Sequence, residues 1–277
     1  MSRGLTKAFT VGLSRGGLEL AQTLRTPREA FSLLSTPLMF VVLSLAIEKD
    51  IAGSDVPMSH LLMAGGITTM LVQTGLMTLP QVLATEREDG TLLRLKTVPG
   101  GITSYLVGKT VVVLVTALGG ALLTLLAGAL FAGTDLPRDA AHWLTLTWVL
   151  LLGLVAVVPL GAAIGALLPN PREALGFTMI PIFFLMGCSG LFFPVTTLPD
   201  GARAVVEVFP VKWIAQGVRS ALLPDSALAA ETGQSWQHAE ILMIVGAWAV
   251  VGFLLAPRLL RRMTRRESGS RLKKAEA

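Results

Sequence analysis

Six stretches of the chain, at 30–47, 57–84, 104–132, 142–168, 174–193 and 239–256, run for about twenty residues or more with almost no charge inside them. A bilayer core about 30 Å thick is crossed by roughly 20 helical residues, and backbone in hydrocarbon must satisfy its own hydrogen bonds, as a helix does. The chain therefore reads as an all-α polytopic membrane protein with six transmembrane helices. Composition agrees, since 52% of the 277 residues are hydrophobic and only 15% charged, too oily a balance for a soluble domain. The first run is short and must borrow flanking residues, or thin the bilayer locally, to cross. One cysteine and three scattered histidines exclude a disulfide framework and a Cys/His zinc site.

The bases are distributed unevenly about these runs. Seventeen of the 23 Lys and Arg fall before the first run, between the second and third, between the fourth and fifth, or after the sixth; only Lys49, Arg138, Arg203, Lys212 and Arg219 fall on the other side. Cytoplasmic segments carry such an excess, which places both termini in the cytoplasm of a multi-pass membrane protein. The remaining base, Lys109, sits near the start of run three and is expected to snorkel to the cytoplasmic interface. The net charge of +5 thus points to an anionic lipid surface and not to nucleic acid.

Residues 1–29 do not read as a cleavable signal peptide. Leu5, Phe9, Leu13, Leu20 and Leu24 share one face at helical spacing, with Lys7, Arg15 and Arg25 around it, as in a helix lying in the membrane surface. Gly16 and Gly17 oppose it, each weakening a helix by about 1 kcal/mol. The organisation is then an interfacial helix at 1–29, a transmembrane domain at 30–257 and a basic cytoplasmic tail at 258–277.

The runs hold no acid or base except Lys109 and Glu240, both near ends, which disfavours an ion-coupled carrier. Their polar content is mild. Thr68, Gln73 and Thr74 in run two could line a passage, or bond between helices and back to their own carbonyls. Gly108-Lys109-Thr110 is not a phosphate loop, since Thr103 stands where the first glycine belongs. Gly187-Cys188-Ser189-Gly190, with His238 opening run six, admits a Ser-His dyad of an intramembrane protease, against the plainer reading of small residues packing helices.

Between runs two and three lies a short charged segment, 85–99. Gly90 interrupts the preceding helix, Thr91 starts a short one through Lys96, and Pro99-Gly100 stops it. Leu92 and Leu95, three apart, suit a groove on another protein. The run Glu86-Arg87-Glu88-Asp89-Gly90-Thr91-Leu92, with Leu95 and Pro99, resembles the coupling segment of ABC-2 type transporter permeases, and Tyr105-Leu106-Val107-Gly108-Lys109 resembles the way those permeases open span three. Downstream, Ser189-Gly190-Leu191-Phe192-Phe193-Pro194, then Leu198-Pro199, Phe209-Pro210 and Gly217-Val218-Arg219, resemble the family's run after span five. Within the family the chain is most similar to daunorubicin-resistance-type drug exporter permeases.

The resemblance implies six helices per subunit with a re-entrant helical hairpin between helices five and six, at 194–237. The residues allow it: Val205, Val206, Val208 and Phe209 form an apolar patch too short to span, and Pro194, Pro199 and Pro210 break the region into short helices. It also implies a bacterial cell membrane, a dimer of this chain, and two copies of a separately encoded ATPase. That partner would use ATP and Mg, this chain binding no cofactor or metal and having no catalytic residues. Glu86, Arg87, Glu88, Gly90, Thr91, Leu92 and Leu95 would carry the coupling, and Ser189, Gly190, Pro194, Pro199 and Pro210 the outer motif. The passage, uncharged with scattered hydroxyls, suits a hydrophobic or amphipathic drug, antibiotic or lipid-like cargo. The rival classes are an ion-coupled carrier, the serine intramembrane protease, and a membrane anchor that recruits an ATPase without transporting.

Overall fold

The computed structural model describes the backbone of residues 2–96, 98, 100–168 and 170–275, with side chains for all of these except 2–8, 92, 93, 96, 102, 103, 171–175, 261 and 264–275. Among them every regular element is helical: α1 Ser2–Arg25, α2 Pro27–Ala46, α3 Met58–Val72, α4 Leu79–Glu88, α5 Thr91–Lys96, α6 Gly101–Phe131, α7 Ala140–Leu167, α8 Pro171–Cys188, α9 Asp200–Val208, α10 Pro210–Leu222 and α11 His238–Ala275. Pro27 opens α2 where a missing N–H costs nothing, and Asp139 caps α7 by accepting the His142 N–H at 2.9 Å. The His142 contacts hold the exposed Asp139 carboxyl below its ordinary range.

Among the described residues five stretches are long and apolar enough to cross a membrane, Pro27–Ala46, Met58–Glu88, Ser104–Phe131, Ala140–Leu167 and His238–Leu260, and Gly176–Cys188 is a shorter apolar one. Run two is one continuous rod, because a π-helical turn, Gln73–Thr78, joins α3 to α4, with the Leu79 N–H reaching five residues back to the Thr74 carbonyl. Opposite that turn α7 is pared to glycine: a Cβ on Gly161 would stand 1.8 Å from the Gly75 carbonyl oxygen.

Packing places α1 along α6, α11 along α7, and α10 against α3 and α7. The α1–α6 contact explains one glycine that reads as a weakness. A Cβ on Gly12 would lie 2.7 Å from the Ser104 carbonyl oxygen and one on Gly16 2.9 Å from that of Gly108, whereas Gly17 faces open space. Small residues thus let two backbones touch. Phe9, Leu13, Leu18 and Leu24 of α1 are left exposed; the Leu5 and Lys7 side chains lie outside the described residues.

The segment after α8 folds into the bundle. Every residue of α10 is buried, and Leu191, fully buried, brings its carbonyl against Gly65 of α3. At the α9–α10 corner the Trp248 indole N–H donates to the Val208 carbonyl at 2.7 Å while Phe209 stacks on the same ring. Three charged side chains outside the six apolar runs are enclosed with it: Lys212 is fully buried, Arg219 is 2% exposed and Glu231 6%. Hydropathy along the chain assigns these residues to an outer loop, but the fold carries that loop inward.

Candidate functional site

The charged segment after run two begins inside the last turn of α4. Glu86 turns inward, 19% exposed, accepts a hydrogen bond from the Tyr105 hydroxyl and pairs with Lys109 at 2.8 Å. The same Lys109 ammonium also pairs with Glu19 of α1. The Arg15 guanidinium lies 5.5 Å from the centre of the Tyr105 ring. One buried ammonium shared by two carboxylates thus ties α1, α4 and α6 together, and Lys109, 8% exposed, reaches these acids instead of standing free. Its long arm is held between two acids in low dielectric, where pairing outweighs reaching water.

The rest of the segment divides between holding on and facing out. Arg87 donates to the Leu168 carbonyl at 3.0 Å, anchoring α4 to the end of α7. Gly90 takes φ +71, a left-handed conformation suited to glycine, and turns the chain into α5 at Thr91. Leu95 packs on the cluster of Leu79, Leu83, Tyr105 and Met263, within its own chain. Glu88, Asp89, Arg94 and Val98 are exposed. The Leu92 side chain, with Thr97 and Pro99, lies outside the described residues. Tyr105 and Lys109 were singled out in the sequence only as the opening of run three, and Glu19 not at all, although one signal for their pairing was available: a lone base in an apolar run needs an acid, and Glu19 and Glu86 are its candidates.

At the other end, the motif residues around run five meet α10. Gly190, at φ +78, offers its carbonyl to Arg219 at 2.7 Å, and a Cβ there would stand 2.7 Å from Val195. Arg219 also grips Glu231 through a second N–H at 3.0 Å. Pro194, Pro199 and Pro210 each stand at the start of a helical turn, before Val195–Thr197, before α9 and at the head of α10. The protease dyad is not assembled: the buried Ser189 hydroxyl has no partner among the described residues, while His238 Nε2 lies 3.0 Å from Ser220 Oγ. Lys212 sits 3.5 Å over the Trp213 ring and 3.9 Å from Glu207.

The candidate passage residues separate. Thr68 is fully buried and donates to the Ala64 carbonyl, while Gln73 and Thr74 open onto a cleft of about 390 Å³ between α1, α2, the π-turn and α6. That cleft is not uncharged, since Glu19 and Glu29 are in its wall. The Thr36 hydroxyl of α2 donates to Gln73 Oε1 at 2.9 Å.

The family model of the ABC-2 family transporter proteins matches residues 31–257, from α2 into α11. A search among curated proteins gives no match.

Proposed function

The chain belongs to the ABC-2 family of transporter proteins, and on that premise we propose that it is the membrane-spanning permease subunit of an ATP-driven exporter. The observation that carries the reading is the family match across 31–257, which takes in both the charged segment and the outer motif. In this reading two copies of the chain assemble with two copies of a separate ATPase that uses ATP and Mg, in a bacterial cell membrane with both termini inside. The excess of bases around α1, α5 and the tail supports that orientation. The cargo is a hydrophobic or amphipathic drug, antibiotic or lipid-like molecule.

Run five is the sixth crossing, with α8 supplying it. The α9–α10 pair is a re-entrant hairpin: its corner at Phe209 touches Trp248, ten residues into α11, a depth of about 15 Å at 1.5 Å per residue. The exposed apolar side chains of α1 support its lying in the membrane surface. Closure of the ATPase pair pushes on Glu88, Asp89, Arg94 and Val98. The Glu86–Lys109–Glu19 cluster passes that push to α6 and α1, shifting the population from inward to outward states.

The test is hydrolysis and cargo export by the chain reconstituted with a separately encoded ATPase that it captures in a pull-down. Reversing charge at Glu88 and Asp89, both exposed, is expected to abolish cargo-stimulated hydrolysis without unfolding the chain. Undiminished export by that double variant, or export without any ATPase, overturns the proposal; binding without stimulated hydrolysis identifies a non-transporting anchor. Truncating Leu95 is a poorer test because Leu95 also packs within the chain.

A further inference from the structure

Among the described residues, eight buried side-chain nitrogen or oxygen atoms lack a hydrogen-bond partner, and six of them belong to Ser189, Arg203, Glu207, Lys212, Gln216 and Thr232, in and beside the α9–α10 hairpin. The mismatch is therefore local to the seat of that hairpin, and Lys212 is its extreme case. Its side chain is wholly buried and its ammonium has no hydrogen-bond partner among those residues. The one carboxylate within ion-pair range among them, that of Glu207, holds its Oε1 3.9 Å away, too far to accept a hydrogen bond. That Oε1 is itself buried and unpartnered, as is the Oε1 of Gln216 one turn along α10. The face of the Trp213 ring, 3.5 Å from the ammonium, is what the fold gives it instead. Other enclosed cations are treated differently: Lys109 touches two carboxylates, and Arg219 both oxygens of Glu231 and the Gly190 carbonyl.

An ammonium taken out of water and left without acceptors destabilises the arrangement that encloses it, and inside a membrane such a group persists where it serves a function. The hairpin is built to move as one piece. The Trp213 indole donates to the Glu207 carbonyl at 2.6 Å and so ties α10 to α9. Its seat is held by separable contacts, Trp248 with Val208 and Phe209 at the corner and Gln216 Nε2 on the Ser235 carbonyl at 3.1 Å. Against α7 it presents Gly217, where a Cβ would lie 2.8 Å from Val149, so at that point no side chain of α10 catches on α7. We propose that the α9–α10 hairpin has a second, raised position in which water reaches Lys212, and that the buried ammonium sets the balance between the two positions. In the seated position the ammonium biases the hairpin outward, and Glu207, which compensates it in part, biases the hairpin inward. Glu207 is 32% exposed and keeps access to water when Lys212 is removed. The two members of one ion pair therefore act with opposite signs, which a salt bridge that merely fastens the corner would not do. The inference goes beyond the transport reading and involves neither cargo nor nucleotide.

The experiment is hydrogen–deuterium exchange with mass spectrometry on the full chain in lipid nanodiscs, reading the amides of α10 relative to those of α3, which is buried without a break from Leu61 to Val72. Wild-type α10 is expected to exchange about tenfold faster than α3, although both are enclosed. Lys212→Met, which keeps the length of the arm and removes its charge, is expected to slow α10 by about tenfold, and Glu207→Gln to speed it severalfold. Acceleration in both variants identifies an ordinary ion pair and overturns the proposal, as does an α10 that neither variant changes. A second measurement uses the unaltered protein and the water-confined acylating reagent sulfosuccinimidyl acetate. The exposed Lys49 is expected to react first, Lys212 more slowly but to completion, and Lys109, pinned between two acids, not at all over the same period. If Lys212 proves as inert as Lys109, the raised position does not exist and the proposal fails, whatever the variants do. Neither measurement includes an ATPase, so failure here leaves the transport reading standing, and failure of the coupling test leaves the hairpin's two positions standing.

Discussion

Two glycines on α1, five residues apart, should respond to the same substitution with opposite signs. Alanine in a helix interior is favoured over glycine by about 1 kcal/mol, and Gly17, whose added Cβ meets nothing within 4 Å, should gain that amount. At Gly12 the added Cβ arrives 2.7 Å from both the Ser104 carbonyl oxygen and the Val107 Cβ, closer than any ordinary contact. One of the two helices must shift, which costs roughly 1–3 kcal/mol and, after the propensity gain, leaves a net loss of up to about 2 kcal/mol. Lifting α1 also stretches the Glu19–Lys109 pair. Limited trypsinolysis of the detergent-purified chain, with cleavage after Arg15 quantified by mass spectrometry, reports how often α1 leaves α6. Two kcal/mol corresponds to about a 30-fold faster cut in Gly12→Ala, and one to about a fivefold slower cut in Gly17→Ala. If Gly12→Ala protected Arg15 as well as Gly17→Ala does, propensity alone would govern this helix and the close contact with α6 would be refuted.

Other outcomes follow from the buried charges and the outer turn. Lys109→Met leaves Glu19 and Glu86 facing each other and should destabilise the chain by about 3–5 kcal/mol in thermal unfolding, with partial recovery in the Lys109→Met, Glu86→Gln double variant. Arg219→Leu or Glu231→Leu alone should cost a similar amount, about 3–5 kcal/mol, whereas the pair changed together should fall well short of the sum; additive losses would contradict the pairing. Gly190→Ala combines a left-handed backbone with a 2.7 Å collision at Val195, and expression and melting temperature should both fall by more than Gly187→Ala, where a Cβ meets nothing.

What the sequence shows of this molecule is what depends on neighbours along the chain. Five spans were readable because their charge-free length is a local property, and Thr91–Lys96 was readable because Gly90 breaks the helix just before it. Contacts between distant residues were not. Glu19 and Lys109 are ninety positions apart, and although a lone base in an apolar run calls for an acid, the sequence does not say that both Glu19 and Glu86 answer it. Gly12 and Gly16 look like poor helix formers until α6 is laid against them. Lys212 and Arg219 count as loop charges until α10 is seen buried on every side. For the candidate site, Gln73 and Thr74 were legible as polar residues in an apolar run, but the cleft they share with Glu29 depends on how α1 and α2 meet.

The wide turn at Gln73–Thr78 inserts one residue beyond regular α spacing, and one residue is about 100° of azimuth around the axis. The rod is therefore two keys cut on a single shank at different angles: Gly65, on one side of the insertion, fits the lock formed by Leu191, and Leu83, on the other, fits the one formed by Tyr105 and Val113. A torque applied at the charged end arrives at the opposite end out of phase, and excising a single position from 73–78 would swing one key out of its lock while leaving every hydropathic residue of the span in place.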